Sequence, residues 1–99
     1  MNDKARFTLV EQQDREAIVA VTQRFLTSNS KVASYSITCE RIEGSFARVR
    51  AQDNQGKTSA VVGFTRRNKE GNWEVLSLGT YFEPEFYKAN GIPEKLRKA

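Results

Sequence analysis

Residues 35–56 read YSITCERIEGSFARVRAQDNQG, and apolar and polar side chains alternate along this segment on both sides of residues 43–45. A period of two sends successive side chains to opposite faces of a strand, so the segment predicts two half-buried β-strands. The same period continues in residues 60–65, and residues 73–80 supply a fourth apolar segment. Each connection is short and contains a glycine, which is typical of antiparallel hairpins: residues 43–45, 53–56 and 68–71. The sequence therefore predicts a four-stranded antiparallel meander.

The register of the hairpins is predicted from the requirement that apolar residues share one face. With a three-residue first loop, Cys39 lies opposite Val49, and Glu40 lies opposite Arg48 on the other face. With a four-residue second loop, Val49 also lies opposite Ala60. We expect a helix to cover the face of Cys39 and Val49, because the small alanines of the second strand allow a close approach.

A helix is predicted at about residues 9–27, ahead of the strands. Thr8 followed by Glu11 has the spacing of a capping box, in which both side chains satisfy free amide groups at a helix start. Apolar residues recur at steps of three and four along one side of this segment: Val10, Ala17, Ile18, Val21 and Phe25. One face of the helix is therefore expected to be buried against the sheet.

One amphipathic helix followed by an antiparallel meander that wraps it resembles the cystatin-like and nuclear-transport-factor-2-like group of α+β domains. The resemblance covers about residues 8–80 and includes GNWEVLSLG, residues 71–79, which is similar to the closing strand of many small members. It implies the fold class alone, since members of the group range from isomerases to cargo carriers. The Gln-x-Val-x-Gly loop of protease-inhibiting cystatins is absent, and only one helix precedes the sheet. Protease inhibition and an enclosed catalytic cavity are therefore not expected.

The 99 residues are expected to form a single domain, since a chain of this length buries about two thirds of its unfolded surface without metals or disulfides. We divide it into a flexible N-terminus (1–7), the helix and meander (8–80) and an irregular C-terminal tail (81–99). Two prolines limit this tail to single helical turns at residues 83–89 and 93–97.

Composition excludes most catalytic chemistry. The chain has no histidine and a single cysteine, Cys39, which excludes the usual metal sites and the Ser-His-Asp and Cys-His nucleophile systems. Glu83 and Glu85 form a close carboxylate pair outside the helix, and solvated charges in a turn explain them best. We therefore expect a non-enzymatic protein with no catalytic residues, no cofactor and no metal.

The sequence favours a cytoplasmic protein without membrane association. No apolar run approaches the roughly 20 residues that a membrane span needs. The N-terminus lacks the apolar core of a signal peptide, although a chain whose leader has been removed would look the same. Cys39 alone cannot form an intramolecular disulfide, so nothing in the sequence requires an oxidising compartment.

The sheet face opposite the helix is expected to carry apolar residues that the helix does not cover. Both faces of the third and fourth strands are partly apolar, and the candidate protein interface consists of Val61, Leu76, Leu78 and Phe82. Either the C-terminal tail covers this face, or a second copy or another protein does. The leading hypothesis is a small binding or assembly module that acts through this face, with a homodimer as its most concrete form.

The whole surplus of positive charge lies in residues 44–72. Lysine and arginine outnumber aspartate and glutamate by 16 to 12, and residues 1–43 and 73–99 are each balanced. Aromatic and basic side chains that share a hairpin face can bind single strands. The candidate nucleic-acid patch consists of Phe46, Arg48, Arg50, Lys57, Arg66 and Arg67. The opposing interpretation is a solvated face in which Arg48 pairs with Glu40, so nucleic-acid binding is the alternative function.

Overall fold

The computed structural model describes residues 3–29, 35–56 and 59–97, with the side chains of the first helix described for residues 11–28. The elements follow one another as α1 (Asp3–Asn29), β1 (Tyr35–Glu43), β2 (Phe46–Asp53), β3 (Val61–Arg67), β4 (Trp73–Gly79), α2 (Pro84–Asn90) and a 3-10 turn (Glu94–Leu96). The strands form one antiparallel sheet in the order β1-β2-β3-β4, and α1 packs on one of its faces. The predicted α+β fold is confirmed.

The first helix is longer than the sequence predicts. It begins at Asp3 and ends at Asn29, so residues 3–7, predicted as a flexible N-terminus, belong to α1. Thr8 and Glu11 lie inside the helix, and the predicted capping position is therefore wrong. Helical i to i−4 hydrogen bonds satisfy interior amides, and such residues have no capping role.

Helical spacing places one stripe of α1 on the sheet. Ile18, Thr22 and Leu26 are buried and follow one another at steps of four. Ile18 was part of the predicted stripe, whereas Ala17, also predicted there, is exposed. The stripe that faces the sheet is therefore rotated away from Ala17 and toward Thr22 and Leu26.

The first hairpin keeps its predicted register over the half that is distant from the turn. Cys39 pairs with Val49, as predicted. A β-bulge at Glu40 then shifts the ladder by one residue, and a two-residue turn replaces the predicted three-residue loop. The predicted ion pair is still formed, because Arg48 Nε lies 2.9 Å from Glu40 Oε1.

The predicted register of the second hairpin is wrong by three residues. Val49 pairs with Gly63, where the sequence predicted Ala60. The connection between β2 and β3 covers residues 54–60 and is longer than the predicted loop. Because side chains alternate along a strand, an odd shift exchanges its two faces. Phe64 therefore packs on the face opposite α1.

Two apolar cores lie on opposite faces of the sheet. The α1 core contains the buried residues Ile18, Cys39, Ala47, Val49 and Trp73. The second, which we call the tail core, contains buried Phe64, Ile92 and Leu96, packed against half-buried Phe46, Val62, Leu76, Phe82, Phe86 and Tyr87. The C-terminal tail therefore covers the face opposite α1, which the sequence had left undecided.

The tail reaches this face through two short helical segments near the predicted places, but α2 has seven residues and exceeds the predicted single turn. α2 begins at Pro84, and a proline fits the first helical position because its missing N–H would have no helical partner there. The helix ends at Gly91, whose φ of 65° lies in the left-handed region that favours glycine. The chain then turns back on the sheet, so that Ile92 and Leu96 are only 1% and 0% exposed.

Thr65 allows a stability test of the α1 face. It is fully buried opposite Ala47, and its Oγ1 has no hydrogen-bond partner among the described residues. Thr65→Val removes this hydroxyl at nearly constant volume, so we expect a gain of about 1 kcal/mol in urea denaturation. Thr22→Val is the control, because the Thr22 hydroxyl donates to the Ile18 carbonyl (2.8 Å) and its loss should not stabilise. Equal effects of the two substitutions would contradict this explanation.

Candidate functional site

The four residues of the predicted protein interface lie on two different faces. Leu78 packs against the α1 core and pairs with Gly63 of β3. Val61 is two residues before Gly63 in the same strand, so its side chain lies on the same face as Leu78. A β-bulge at Leu76 reverses the alternation of β4, so that Leu76 packs in the tail core. Phe82 packs there as well. All four side chains are half-buried within the chain, and they do not form one surface.

Arg48 holds the tail against the sheet. Its Nη1 donates to the carbonyl oxygen of Leu96 (2.9 Å), and its Nε donates to Glu40 Oε1 (2.9 Å). Its guanidinium carbon also lies 5.8 Å from the ring centre of Phe64, within the range of a cation–π contact. The charge of Arg48 is therefore engaged inside the molecule.

Ion pairs neutralise two more members of the predicted basic patch. Arg66 pairs with Glu74 at 2.9 Å, and Arg67 pairs with Asp14 of α1 at 3.1 Å. The hydrogen bond from Arg66 makes the largest contribution to lowering the pKa of the Glu74 carboxyl, and a hydrogen bond from Asn68 makes the next largest. Arg66 and Arg67 therefore contribute little net charge to a patch.

The remaining patch residues do not form a continuous surface. Arg50 is exposed and makes no ion pair with the part of the chain that the structure describes. Phe46 is half-buried and packs against the tail core. Lys57 lies outside the described residues. Among the five patch residues that the structure describes, only Arg50 is an exposed charge without an ion pair to another described residue.

An open groove lies between α1 and β1, and we call it the α1–β1 groove. Its volume is about 610 Å³, within the range of about 300–1,000 Å³ that is typical of ligand sites. Its apolar walls are Val19, Ala20 and Ile37, and polar side chains that include Gln12, Glu16 and Gln23 line it from α1. The arrangement can hold an apolar group while polar atoms remain hydrated at the rim.

Arg15 and Cys39 lie at one end of this groove. Arg15 pairs with Glu11 at 3.0 Å and also donates to the backbone carbonyl of Cys39. Burial raises the pKa of the Cys39 thiol, and the nearby charge of Arg15 offsets only part of this effect. A buried thiol with a raised pKa is a poor nucleophile at neutral pH. Cys39 is therefore a small core residue on the sheet face that the helix covers, the face on which the sequence placed it.

Sequence reasoning missed this groove, although one signal for it was available. The sequence pattern places Gln12 and Glu16 on the polar side of the predicted helix, and Ile37 on the sheet face that the helix covers. The first strand of a meander necessarily lies at an edge, and β1 does so here. An edge strand presents unpaired backbone groups that can bind another strand. The order of the strands places β1 and β4 at the two edges of the sheet, and the groove lies on the β1 side.

The structure offers no metal site to this region. Within residues 3–29, 35–56 and 59–97, no cluster of histidine, cysteine, aspartate and glutamate could bind a metal ion.

None of the helices in these ranges combines the length and the apolar character needed to cross a membrane. Comparison of the chain with protein-family models, curated proteins and solved structures finds no match. Any function of the groove is therefore inferred from its geometry.

Proposed function

We propose that this chain is a non-enzymatic binding module that holds a segment of a partner protein in the α1–β1 groove. The position of the groove carries the proposal: it is open, has apolar walls and lies beside the edge of β1 that pairs with no other described strand. Apolar walls favour side chains of a partner, and a free strand edge favours its backbone. A protein segment uses both features, whereas a small apolar molecule uses only the first.

The face opposite α1, where the sequence placed the interface, supports docking less well. Ile92 and Leu96 of the tail are buried on that face, and Arg48 holds the backbone of Leu96. A homodimer or another partner there would first have to displace the tail. Burial of two aliphatic side chains contributes several kcal/mol, so displacement has a large cost. The α1–β1 groove needs no such displacement.

The surrounding chemistry supports a role in binding and not in catalysis. The buried thiol of Cys39 has a raised pKa, which disfavours nucleophilic attack. Among the described residues, five carboxylates form ion pairs with arginines: Glu11, Asp14, Glu40, Glu43 and Glu74. The hydrogen bond from Arg66 lowers the pKa of the Glu74 carboxyl, which makes this group less suited to donate a proton near neutral pH. The free thiol also suits a reducing compartment, so we include a cytoplasmic location in the proposal.

We also propose a distant relation to the cystatin-like and nuclear-transport-factor-2-like group. The support is the element order, one long helix followed by a four-stranded antiparallel meander that packs on it. The candidate site is an open groove at an edge strand and is lined by one helix. This geometry fits the binding members of that group better than its enzymes, which enclose their substrates.

Selection of random dodecamer peptides displayed on phage against the immobilised chain tests the proposed function. Ala20→Gln places a longer side chain in the groove, so we expect selected peptides to bind this variant about tenfold more weakly in fluorescence anisotropy, a loss of about 1.4 kcal/mol. Ala17→Gln is the matched control, since Ala17 is exposed on α1 but does not line the groove. Equal binding to all three proteins, or failure to select any peptide, would contradict the proposal.

Nucleic-acid binding is the second candidate, and exposed Arg50 is the observation in its favour. The formal net charge of +4 would add a general attraction to phosphates. Such binding weakens steeply with salt because counterions are released from the nucleic acid. A labelled RNA or DNA that shows no mobility shift at low salt removes this candidate, whereas a salt-sensitive shift would favour it over the groove.

A further inference from the structure

The backbone N–H and C=O of Ile37 point away from β2, toward the outer edge of the sheet. In an antiparallel ladder the hydrogen-bonding groups of successive residues point alternately to the two sides of a strand. The carbonyl of Cys39 accepts a hydrogen bond from Arg15 of α1 and therefore points away from β2. Ile37 lies two residues before Cys39 in the same uninterrupted part of the ladder. Its N–H and C=O consequently point outward, where no other strand of the described sheet lies.

The α1–β1 groove lies directly beside this edge. Every second side chain of an added strand would face α1, because side chains alternate along a strand. Val19, Ala20 and Ile37 form the apolar walls that such side chains would meet. Glu16 also lines the groove, is exposed, and forms no ion pair within the described residues. Charge complementarity therefore favours a lysine or arginine in the partner.

Arg15 and the bulge at Glu40 limit the edge that is available for pairing. Arg15 donates a hydrogen bond to the carbonyl oxygen of Cys39, which is then less available to an added strand. The bulge at Glu40 twists β1 and ends regular pairing there. An added strand is therefore confined to the part of β1 that precedes Cys39 and contains Ile37. That part of β1 comprises the four residues Tyr35–Thr38, and its length decides between two kinds of occupant.

A second copy of the chain is a poor occupant of so short an edge. Four residues of strand are about 14 Å long and about 10 Å deep, so edge pairing buries roughly 280 Å² over both partners. Stable protein interfaces bury at least about 1,200 Å². A flexible segment also fills the groove and contacts α1, which increases the buried area without a rigid second domain. The small area that edge pairing buries and the negative charge of Glu16 together favour an extended segment of another protein.

We propose that an extended segment of a partner protein adds to β1 as a fifth strand. Its backbone pairs with Ile37, an apolar side chain enters the α1–β1 groove between Ile37 and Val19, and a lysine or arginine lies beside Glu16. This inference rests on the proposed function and names its partner class: a strand-forming peptide with alternating apolar residues and at least one basic residue. Main-chain pairing provides affinity in such complexes, and alternate side chains provide specificity.

Hydrogen exchange with the tightest-binding dodecamer from the phage selection tests the strand geometry. The amide of Ile37 should exchange at least tenfold more slowly in the complex, because strand addition gives it an acceptor. The amide of Thr38 is the internal control, since Thr38 is the next residue in the ladder and its N–H points to β2. N-methylation along the dodecamer should weaken binding about tenfold at alternate positions only. Glu16→Gln should weaken binding of a basic dodecamer while Ala17→Gln leaves it unchanged.

The outcomes separate this inference from the proposed function. If Ala20→Gln weakens binding but the exchange of Ile37 is unchanged, the groove binds peptides and strand addition is wrong. Sensitivity to N-methylation at every third or fourth position would indicate a helical ligand and would also overturn strand addition. If no dodecamer distinguishes Ala20→Gln from Ala17→Gln, the proposed function fails, and the inference fails with it.

Discussion

Gly63→Ala is expected to lower the free energy of unfolding by about 3 kcal/mol, the upper end of the usual cost of overpacking. A Cβ at this position would lie 1.9 Å from Cδ2 of Leu78 and 2.9 Å from the carbonyl oxygen of Ser77. The end of the leucine can rotate away, but Leu78 then loses contacts with the α1 core. The Ser77 carbonyl belongs to β4 and moves only if the ladder between β3 and β4 is disturbed. Urea denaturation monitored by Trp73 fluorescence measures the loss.

Gly79→Ala is the matched control for this prediction. Both glycines belong to paired strands, and neither has a positive φ. The nearest atoms to a Cβ at Gly79 are 3.8 and 3.9 Å away, which is ordinary van der Waals contact. We expect its effect to be within about 0.5 kcal/mol of zero. Equal losses in both variants would mean that the close approach of Leu78 is not the cause. Gly63→Ala should also cost less in a Leu78→Ala background, since the two side chains no longer compete.

The first hairpin could be predicted because its two faces differ in polarity. Cys39 and Val49 are apolar, while Glu40 and Arg48 on the other face are charged, so only one register satisfies both faces. The structure keeps the pairing of Cys39 with Val49 and the ion pair, although Glu40 is bulged. The ion pair survives because both side chains are long enough to span one extra residue. The difference in polarity between the two faces therefore determined more of the register than the sequence of the turn did.

The second hairpin could not be predicted because β3 is apolar on both faces. Val61 and Val62 are neighbours of the same type, so a shift by an odd number of residues exposes no charge and buries none. Only the long connection between β2 and β3 and the approach of Leu78 to Gly63 distinguish the registers, and both are tertiary features. The bulge at Leu76 adds a second change of face in β4 that alternation cannot reveal.

The apolar character of both faces of β3 also explains why the sequence placed the candidate interface on the face opposite α1, whereas the structure points to the α1–β1 groove. A face on which Val62, Phe64 and Leu76 meet is apolar enough to require a cover, and the tail supplies Ile92 and Leu96. The number of apolar residues in the tail was visible in the sequence, but its path across the sheet depends on long-range packing. With that face covered by the tail, the candidate site lies instead in the α1–β1 groove.

Leu96→Ala is expected to lower the free energy of unfolding by about 3 kcal/mol, because it removes a fully buried aliphatic side chain from the tail core. The hydrogen bond from Arg48 to the Leu96 carbonyl is a backbone contact and can persist, so the loss reports packing. Tyr81→Ala is the control, since Tyr81 belongs to the same tail but is 74% exposed; its effect should be within about 0.5 kcal/mol of zero. Sedimentation at tens of micromolar should show a monomer for the wild type. A wild-type dimer, together with a loss below about 1 kcal/mol for Leu96→Ala, would mean that the tail does not close this face and that a second copy binds there.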